Sequence, residues 1–528
     1  MATRTREGVF PTDLAIIFRD VGALLLMEAA LLALSAGVAL AFTEFYVAGA
    51  FVLAAGLTAG VGGLARKSFD DAPAPRMKHG MVIAAAGWFS TALFGALPFL
   101  FAAYLVPPAV AAAYVPAGVD YGSSLFYFRS PLHAFFESMS GWTGSGLTMA
   151  VHEPTMPRAL LWWRSLMQWV GGVGVIVLTV SILARPGSGS YALYQSETRE
   201  EKIHPSVVST VRTVWKMFLG YTLLSIAALF AAIRASAYGA TLPTSEVLWQ
   251  AINHAMTALS TGGFSVTDNS IATYNSPLIE VVLLPVMTIG AIAFPIHYIV
   301  LRDRDPRHFF DDLQTRWLFI LFGLGVVALT LQNLATLAPA LSFRDSTFQF
   351  ISALTCTGFQ SAPIGTWTAG GKVILSGAMT MGGAAGSTVG GIKIIRGYTI
   401  GRGIRWQFKR VFLPENAVIT LKMDGRTLNR TEMEREFAEA AIVTILWLIL
   451  LIVGSVLLAN LAGPDFSYAD ALFEVASAQG NVGLSTGITT PSMPSLAEGM
   501  LILNMWVGRL EIIPILVFAR AAIYGLNP

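Results

Sequence analysis

One cysteine, Cys356, is all that the 528 residues contain, which excludes an intramolecular disulfide and any cysteine-based zinc site. Charge is scarce too: Asp, Glu, Lys and Arg make up 12% of the chain, about half the fraction usual in a soluble protein. There are seven histidines, and neither His254 nor His297 has the acidic or nucleophilic company that a membrane-embedded enzyme would need. No ATP-binding motif is present. The sequence Gly390-Gly391-Ile392-Lys393 lacks the Gly-Lys-Ser/Thr of a phosphate loop. These absences leave enzymatic readings thin.

What the chain has in quantity is apolar sequence: 54% of residues are hydrophobic, and the mean hydropathy is +0.62. Stretches long enough to cross a bilayer run from Ala23 to Phe42, Tyr46 to Leu64, Met81 to Val106, Leu160 to Leu183 and Met217 to Ile233. Others run from Ile279 to Val300, Leu318 to Leu337, Ile442 to Leu461 and Met500 to Ile523. The first follows Arg4, Arg6 and Arg19 without a small-residue cleavage site and is read as a retained helix. Basic residues gather in alternate loops: Arg66 to Lys78, Arg185 to Lys216, Arg302 to Arg316, and about ten between Lys393 and Arg435. The positive-inside rule makes these loops, and the N-terminus, cytoplasmic. It also explains them better than nucleic-acid binding does.

An internal repeat organises the rest. His133–Leu147, Gln250–Phe264, Asp345–Phe359 and Asp470–Leu484 align without a gap. Each starts polar, runs mainly apolar for less than three turns, and carries a polar side chain at one position: Glu137, His254, Gln349 and Glu474. Each ends in a glycine (Gly146, Gly263, Gly358, Gly483) before a bulky Leu or Phe. A long apolar segment flanks every copy on both sides, so each reads as a re-entrant half-helix followed by an extended strand. Irregular backbone at membrane depth survives only inside protein or along a water-filled cavity. Four such segments in one orientation can surround a single axis and line a pore.

The chemistry fits a cation. A dehydrated potassium ion needs about eight oxygen ligands, which rings of backbone carbonyls supply without a net charge. Turning successive carbonyls inward demands positive φ, which glycine adopts freely. The candidate filter is therefore Gly144, Ser145 and Gly146; Thr261, Gly262 and Gly263; Cys356, Thr357 and Gly358; and Asn481, Val482 and Gly483. The carbonyl of Cys356 is the part expected to serve, not its thiol. Glu137 and Glu474 read mainly as braces for the filter, and Arg164 as a structural anchor near the outer interface. Glu28, in the first apolar stretch, has no evident role. The glycine-rich run from Met381 to Gly391 favours either local unwinding or close helix packing through small residues. Arg509, inside the last apolar stretch, either faces the pore beneath the filter or pairs with Glu511 or neighbouring carbonyls.

The pattern resembles the Trk/Ktr/HKT superfamily of potassium transporters, and its Trk-type (TrkH-like) membrane subunits above all. Besides the four loops, the resemblance rests on WWRSLMQWVGGVGVIVL (Trp162 to Leu178), ETREEKIHPSVVSTVRTVWK (Glu197 to Lys216), GGAAGSTVGGIKIIRG (Gly382 to Gly397) and VGRLEIIPILV (Val507 to Val517). It implies potassium selectivity, since all four filter positions are Gly where Ser accompanies sodium selectivity. It further implies a gate at Gly382, Gly383, Gly386, Ser387, Thr388, Gly390 and Gly391 with Arg509 beside it. A homodimer in the cytoplasmic membrane and a cytosolic, nucleotide-binding (TrkA-like) regulatory ring follow from the same resemblance. The ring's expected docking sites are the basic loops Arg302 to Arg316 and Lys393 to Arg435. Potassium is the only bound ion expected, with no organic cofactor.

The architecture expected is all-α: an N-terminal pair of spans (1–78), then pore repeats over 79–211, 212–316, 317–436 and 437–528. The alternative function is a cation-coupled symporter with a midplane site, which would show two inverted halves.

Overall fold

The computed structural model describes residues 12–178, 207–412, 421–423 and 426–526. Arg4, Arg6, Arg185, Arg199, Lys202, the start of the Glu197 to Lys216 segment, the end of the stretch to Leu183 and part of the Lys393 to Arg435 loop lie outside the described residues. Helices α1 (Thr12–Ala41) and α2 (Phe45–Ser68) form a hairpin turned at Thr43, which sits at φ 59°. The Glu44 carboxylate accepts hydrogen bonds from the backbone N–H groups of Arg158 and Ala159, at 2.7 and 3.0 Å. That anchors the hairpin to the N-terminus of a pore-repeat helix, where free N–H groups and the helix dipole favour a negative charge.

Four repeats follow. In the first, α3 (Met77–Gly95) and α4 (Leu97–Leu105) lead to the half-helix α5 (Pro131–Thr143) and then α6 (Arg158–Leu178). The second comprises α7 (Val207–Ala235), the half-helix α8 (Thr244–Leu259), and the bent pair α9 (Pro277–Ala291) and α10 (Phe294–Asp303). The third has α11 (Leu313–Asn333), the half-helix α12 (Pro339–Leu354), then α13 (Ala369–Thr380) and α14 (Ile394–Val411). The fourth has α15 (Arg430–Leu461), the half-helix α16 (Tyr468–Gly480), and the bent pair α17 (Ser495–Leu510) and α18 (Ile513–Tyr524).

By length and composition, six helices among the described residues can cross a membrane, or eight if each bent pair is one span. The other two of the ten expected spans are α6, which runs to the edge of the described residues, and the interrupted pair α13 and α14. Among the described residues the helices are joined by one small hairpin, β1 (Leu421–Met423) antiparallel to β2 (Arg426–Leu428), which the sequence reading did not anticipate.

Two further details differ from expectation. The half-helices have 13, 16, 16 and 13 residues, where less than three turns is read from sequence, because Pro131, Thr244, Pro339 and Tyr468 start them upstream of the aligned blocks. The apolar stretches at Ile279–Val300 and Met500–Ile523 are not straight spans: they bend by 104° and 113°. Pro295 opens the helix after the first break, since proline suits the first turn of a helix and cannot continue one. At the second break Glu511 and Ile512 both take positive φ, 60° and 70°.

Candidate functional site

All four half-helices end in the same way. The N–H of Gly144 donates to the Gly141 carbonyl at 3.1 Å, and that of Ser145 to the Ser140 carbonyl at 2.9 Å. The same pair of bonds recurs at Thr261 and Gly262, at Cys356 and Thr357, and at Asn481 and Val482. This is the Schellman closure, which needs a left-handed residue just past the helix. Gly144 (φ 68°), Thr261 (53°), Cys356 (51°) and Asn481 (54°) supply it. Three of these are not glycine, and the β-branched Thr261 is a genuine outlier at positive φ. Two residues on, Gly146, Gly263, Gly358 and Gly483 return to positive φ, between 76° and 105°.

The last glycine of each copy also meets the next copy. A Cβ on Gly146 would lie 2.4 Å from the Gly262 carbonyl oxygen. One on Gly263 would lie 2.1 Å from that of Thr357, one on Gly358 1.7 Å from that of Val482, and one on Gly483 2.7 Å from that of Ser145. The contacts run first to second, second to third, third to fourth and fourth back to first, so the four strands close into a ring. Glycine is required here twice over, by dihedral and by the neighbouring carbonyl.

Behind the strands lies a layer of buried polar braces. Glu137 accepts from the Met149 N–H (2.8 Å) and the Thr148 hydroxyl (2.9 Å), and Glu474 from the N–H groups of Thr486 (3.0 Å) and Thr489 (3.1 Å). At the matching positions, His254 contacts the Ser265 hydroxyl at 3.0 Å and Gln349 donates to that of Ser361 at 3.0 Å. Arg164, expected as a structural anchor, is fully buried in this layer. Its guanidinium donates to Glu137 (2.6 Å) and to the Ser265 carbonyl of the second copy (2.9 Å), and it lies 4.1 Å from the Phe264 ring centroid. Near it, in the loop after the first strand, burial pushes the Glu153 carboxyl up to about 8, with the Arg164 charge opposing. Glu28 is buried on α1 against the first half-helix, beside Ser138 and Trp142.

The glycine-rich segment lies where the half-helices end. Helix α13 stops at Thr380 and α14 resumes at Ile394, so the run is an irregular loop, not a packed helix. Its backbone bonds to the break in the second repeat: the Ala384 N–H donates to the Ala291 carbonyl (3.0 Å), the Thr388 N–H to that of Gly290 (3.2 Å), and the Phe294 N–H to that of Gly386 (3.0 Å). The Thr388 hydroxyl sits 2.9 Å from that of Thr261, and a Cβ on Gly390 would strike the Gly480 carbonyl of the fourth repeat. Gly382 and Gly391 pack on each other at the loop's neck, Gly383 lies against Ala291, and the Ser387 hydroxyl donates to the Ala384 carbonyl. Arg509 ties the remaining repeat in, donating to the Thr388 carbonyl and to that of Gly171 in α6, both at 2.9 Å. It does not pair with Glu511, whose carboxylate takes Arg396 at 2.5 Å.

A family profile described as TrkH, cation transport protein, matches residues 79–523. The chain belongs to that family. An uncharacterized cation transporter of Methanocaldococcus jannaschii is 31% identical over 84% of this chain and 82% of its own length. A Trk system potassium uptake protein TrkH of Halomonas elongata is 29% identical over 97% and 99%. The crystal structure of the potassium transporter TrkH from Vibrio parahaemolyticus superposes with a TM-score of 0.78 at 24% identity, covering 97% of this chain and 99% of that one, and so shares the fold. As a TrkH-family chain, this is a multi-pass membrane protein from a family of transporters, not of enzymes. Its family match begins after the α1–α2 hairpin.

Sequence reasoning missed how the repeats of this TrkH-family chain are clasped together. At each seam a side chain in a half-helix pairs with one at the start of the preceding repeat's second helix. These are Glu246 with Arg158 (2.6 Å), Arg344 with Glu280 (2.7 Å), Asp470 with Lys372 (2.5 Å) and His133 with Glu498 (2.9 Å). Partners lie 64 to 365 residues apart, so no local pattern announces them. Gln168 was missed likewise: its amide donates to the Gly262 carbonyl at 2.6 Å and accepts from the Phe264 N–H at 3.0 Å.

Proposed function

We propose that this chain carries potassium ions across a cytoplasmic membrane, down the membrane potential, through a filter formed by the twelve residues from Gly144 to Gly483 named above. The observation that carries the reading is the closed glycine–carbonyl ring. Four unlike strands cannot make a symmetric ring of side chains, but their backbones present equivalent carbonyls at one level, and carbonyl rings are how proteins strip a cation of water without binding it too tightly. The names of the Halomonas elongata and Vibrio parahaemolyticus relatives, both potassium transporters, supply the ion.

The loop of Gly382, Gly383, Gly386, Ser387, Thr388, Gly390 and Gly391 acts as the gate, latched by Arg509. Its bonds to the second and fourth repeats, and through Arg509 to the first, support a barrier lying under the ring. The N-terminus and basic loops face the cytoplasm, where Arg302 to Arg316 and Lys393 to Arg435 dock a nucleotide-binding regulatory ring on a homodimeric transporter. Reversing the charge of those loops should abolish capture of such a ring in a pull-down, and undiminished capture would refute the docking site.

Flux of potassium, rubidium and sodium into liposomes holding the purified chain tests the filter. Potassium and rubidium should enter well ahead of sodium, and Gly146→Ser should erase that preference. Equal entry of all three in the wild type would sink the selectivity claim.

A further inference from the structure

At the middle position of the filter strands, Ser145, Thr357 and Val482 carry side chains, and only the second strand has glycine, Gly262. Two consecutive glycines, Gly262 and Gly263, make that strand the least constrained of the four, since glycine loses the most conformational freedom on ordering. The place of the missing side chain is taken by another residue. A Cβ on Gly262 would lie 2.4 Å from Cδ of Gln168 and 2.5 Å from its Oε1.

Gln168 comes from α6 of the first repeat and is fully buried. Its amide grips the strand on both sides of Gly263, through the Gly262 carbonyl and the Phe264 N–H. One turn earlier Arg164 holds the Ser265 carbonyl, so α6 supports the strand at three backbone groups. Among the described residues, no other second helix has a side chain hydrogen-bonded to the next repeat's filter strand.

The equivalent residues can be located. Cβ atoms on Gly171, Gly290 and Gly508 would each strike the carbonyl of the residue two before a filter strand, Trp142, Leu259 and Gln479. Three residues before those glycines stand Gln168, Met287 and Met505. The last two are fully buried and have a thioether, which donates no hydrogen bond.

We propose that Gln168 is a positioning residue for ion selection, clamping the Gly262 peptide plane and so fixing where its carbonyl faces. The clamp rests on the filter reading above. With it in place, the peptide between Gly262 and Gly263 cannot rotate to present its N–H in place of the carbonyl, which would put a donor where a cation needs an acceptor. The carbonyl keeps a second lone pair for other duty.

The test compares wild type, Gln168→Met and Gln168→Leu in liposomes, measuring the potassium-to-sodium flux ratio and the half-saturating potassium concentration. Methionine fills the same place in two other repeats, and leucine is of similar volume, uncharged and has no proton for Gly262. Losing a buried hydrogen bond of this kind is expected to lower the ratio by roughly tenfold and to raise the half-saturating concentration. A purely structural role would scale both fluxes together and leave the ratio alone. Folded Gln168→Met with a ratio within about twofold of wild type would overturn the clamp, and if that variant fails to fold, Gln168→Leu decides by the same criterion. A wild type that does not discriminate between the ions would bring down the filter reading and the clamp with it.

Discussion

On the face where the half-helices begin, all four seams are closed by one device, a polar side chain in a half-helix paired with one at the start of the preceding repeat's second helix. On the face where they end, the second helices divide: α9 and α17 bend by 104° and 113° into α10 and α18, whereas α13 gives way to a glycine-rich loop. Selecting an ion asks the same of every wall of a ring. Blocking and releasing it needs only one wall to differ. On the function proposed above, the fourfold plan is kept where a filter would need it and given up where a gate would need one wall to differ.

The most forceful way to break this contrast is to attack the ring itself. Gly358→Ala puts a Cβ 1.7 Å from the Val482 oxygen, whereas Gly483→Ala has 2.7 Å to the Ser145 oxygen. Strain and overpacking of a few kcal/mol should cut potassium uptake by roughly a hundredfold or more at Gly358, and by less at Gly483. Equal losses in a flux assay would show that dihedral alone sets the need for glycine.

Next in size is the brace. Arg164→Ala leaves Glu137 buried and uncompensated, and thermal or denaturant unfolding should register a loss of about 3–5 kcal/mol. The seams grade below it. Lys372→Ala and Arg344→Ala each strand a buried carboxylate, Asp470 and Glu280, at about 1–3 kcal/mol. Asp470 keeps its hydrogen bonds from Ser467, so Arg344→Ala should destabilise by at least as much. A clearly larger loss for Lys372→Ala would contradict that argument. On the opposite face, Thr388→Val removes the hydroxyl contacts to Thr261 and to the Gly290 carbonyl. It should raise resting potassium flux several-fold while leaving unfolding nearly unchanged, by about 1 kcal/mol or less. Unaltered resting flux would detach the loop from gating.

A separate effect is of pH. Burial lifts the Glu153 carboxyl to about 8, above its unfolded value near 4.5. Between those values the folded chain holds a proton that the unfolded chain has lost, so stability is greatest below the lower value and declines as pH rises towards 8. Glu153→Gln should flatten that decline in a melting series, and an unchanged slope would exclude the residue as its source.

How much could be read from the sequence follows from distance along the chain. The half-helix, the left-handed turn and the closing glycine lie within 20 residues in every copy, so four copies betray themselves by alignment. Glu137 and Glu474 brace strands 11 to 15 residues ahead and were legible for the same reason. Arg164 and Gln168 act on a strand 94 to 101 residues away, and from sequence the first was read as a structural anchor without its partners and the second went unmarked. The bend at Ala291 to Phe294 hides because apolar composition continues through it; only Pro295 hints at it. The break at Glu511 lacks the glycine that would have advertised positive φ.

One seam differs from the other three in its covalent connection. First meets second, second meets third and third meets fourth through continuous chain, but fourth meets first only in space, through Gly483 against Ser145 and Glu498 against His133. During synthesis the ring stays open at that edge until the fourth repeat leaves the ribosome, and a contact of such long sequence separation is among the slowest to form. A truncation before Asp470 therefore yields three complete repeats with an unpaired flank, a species for the quality-control machinery and not a smaller transporter.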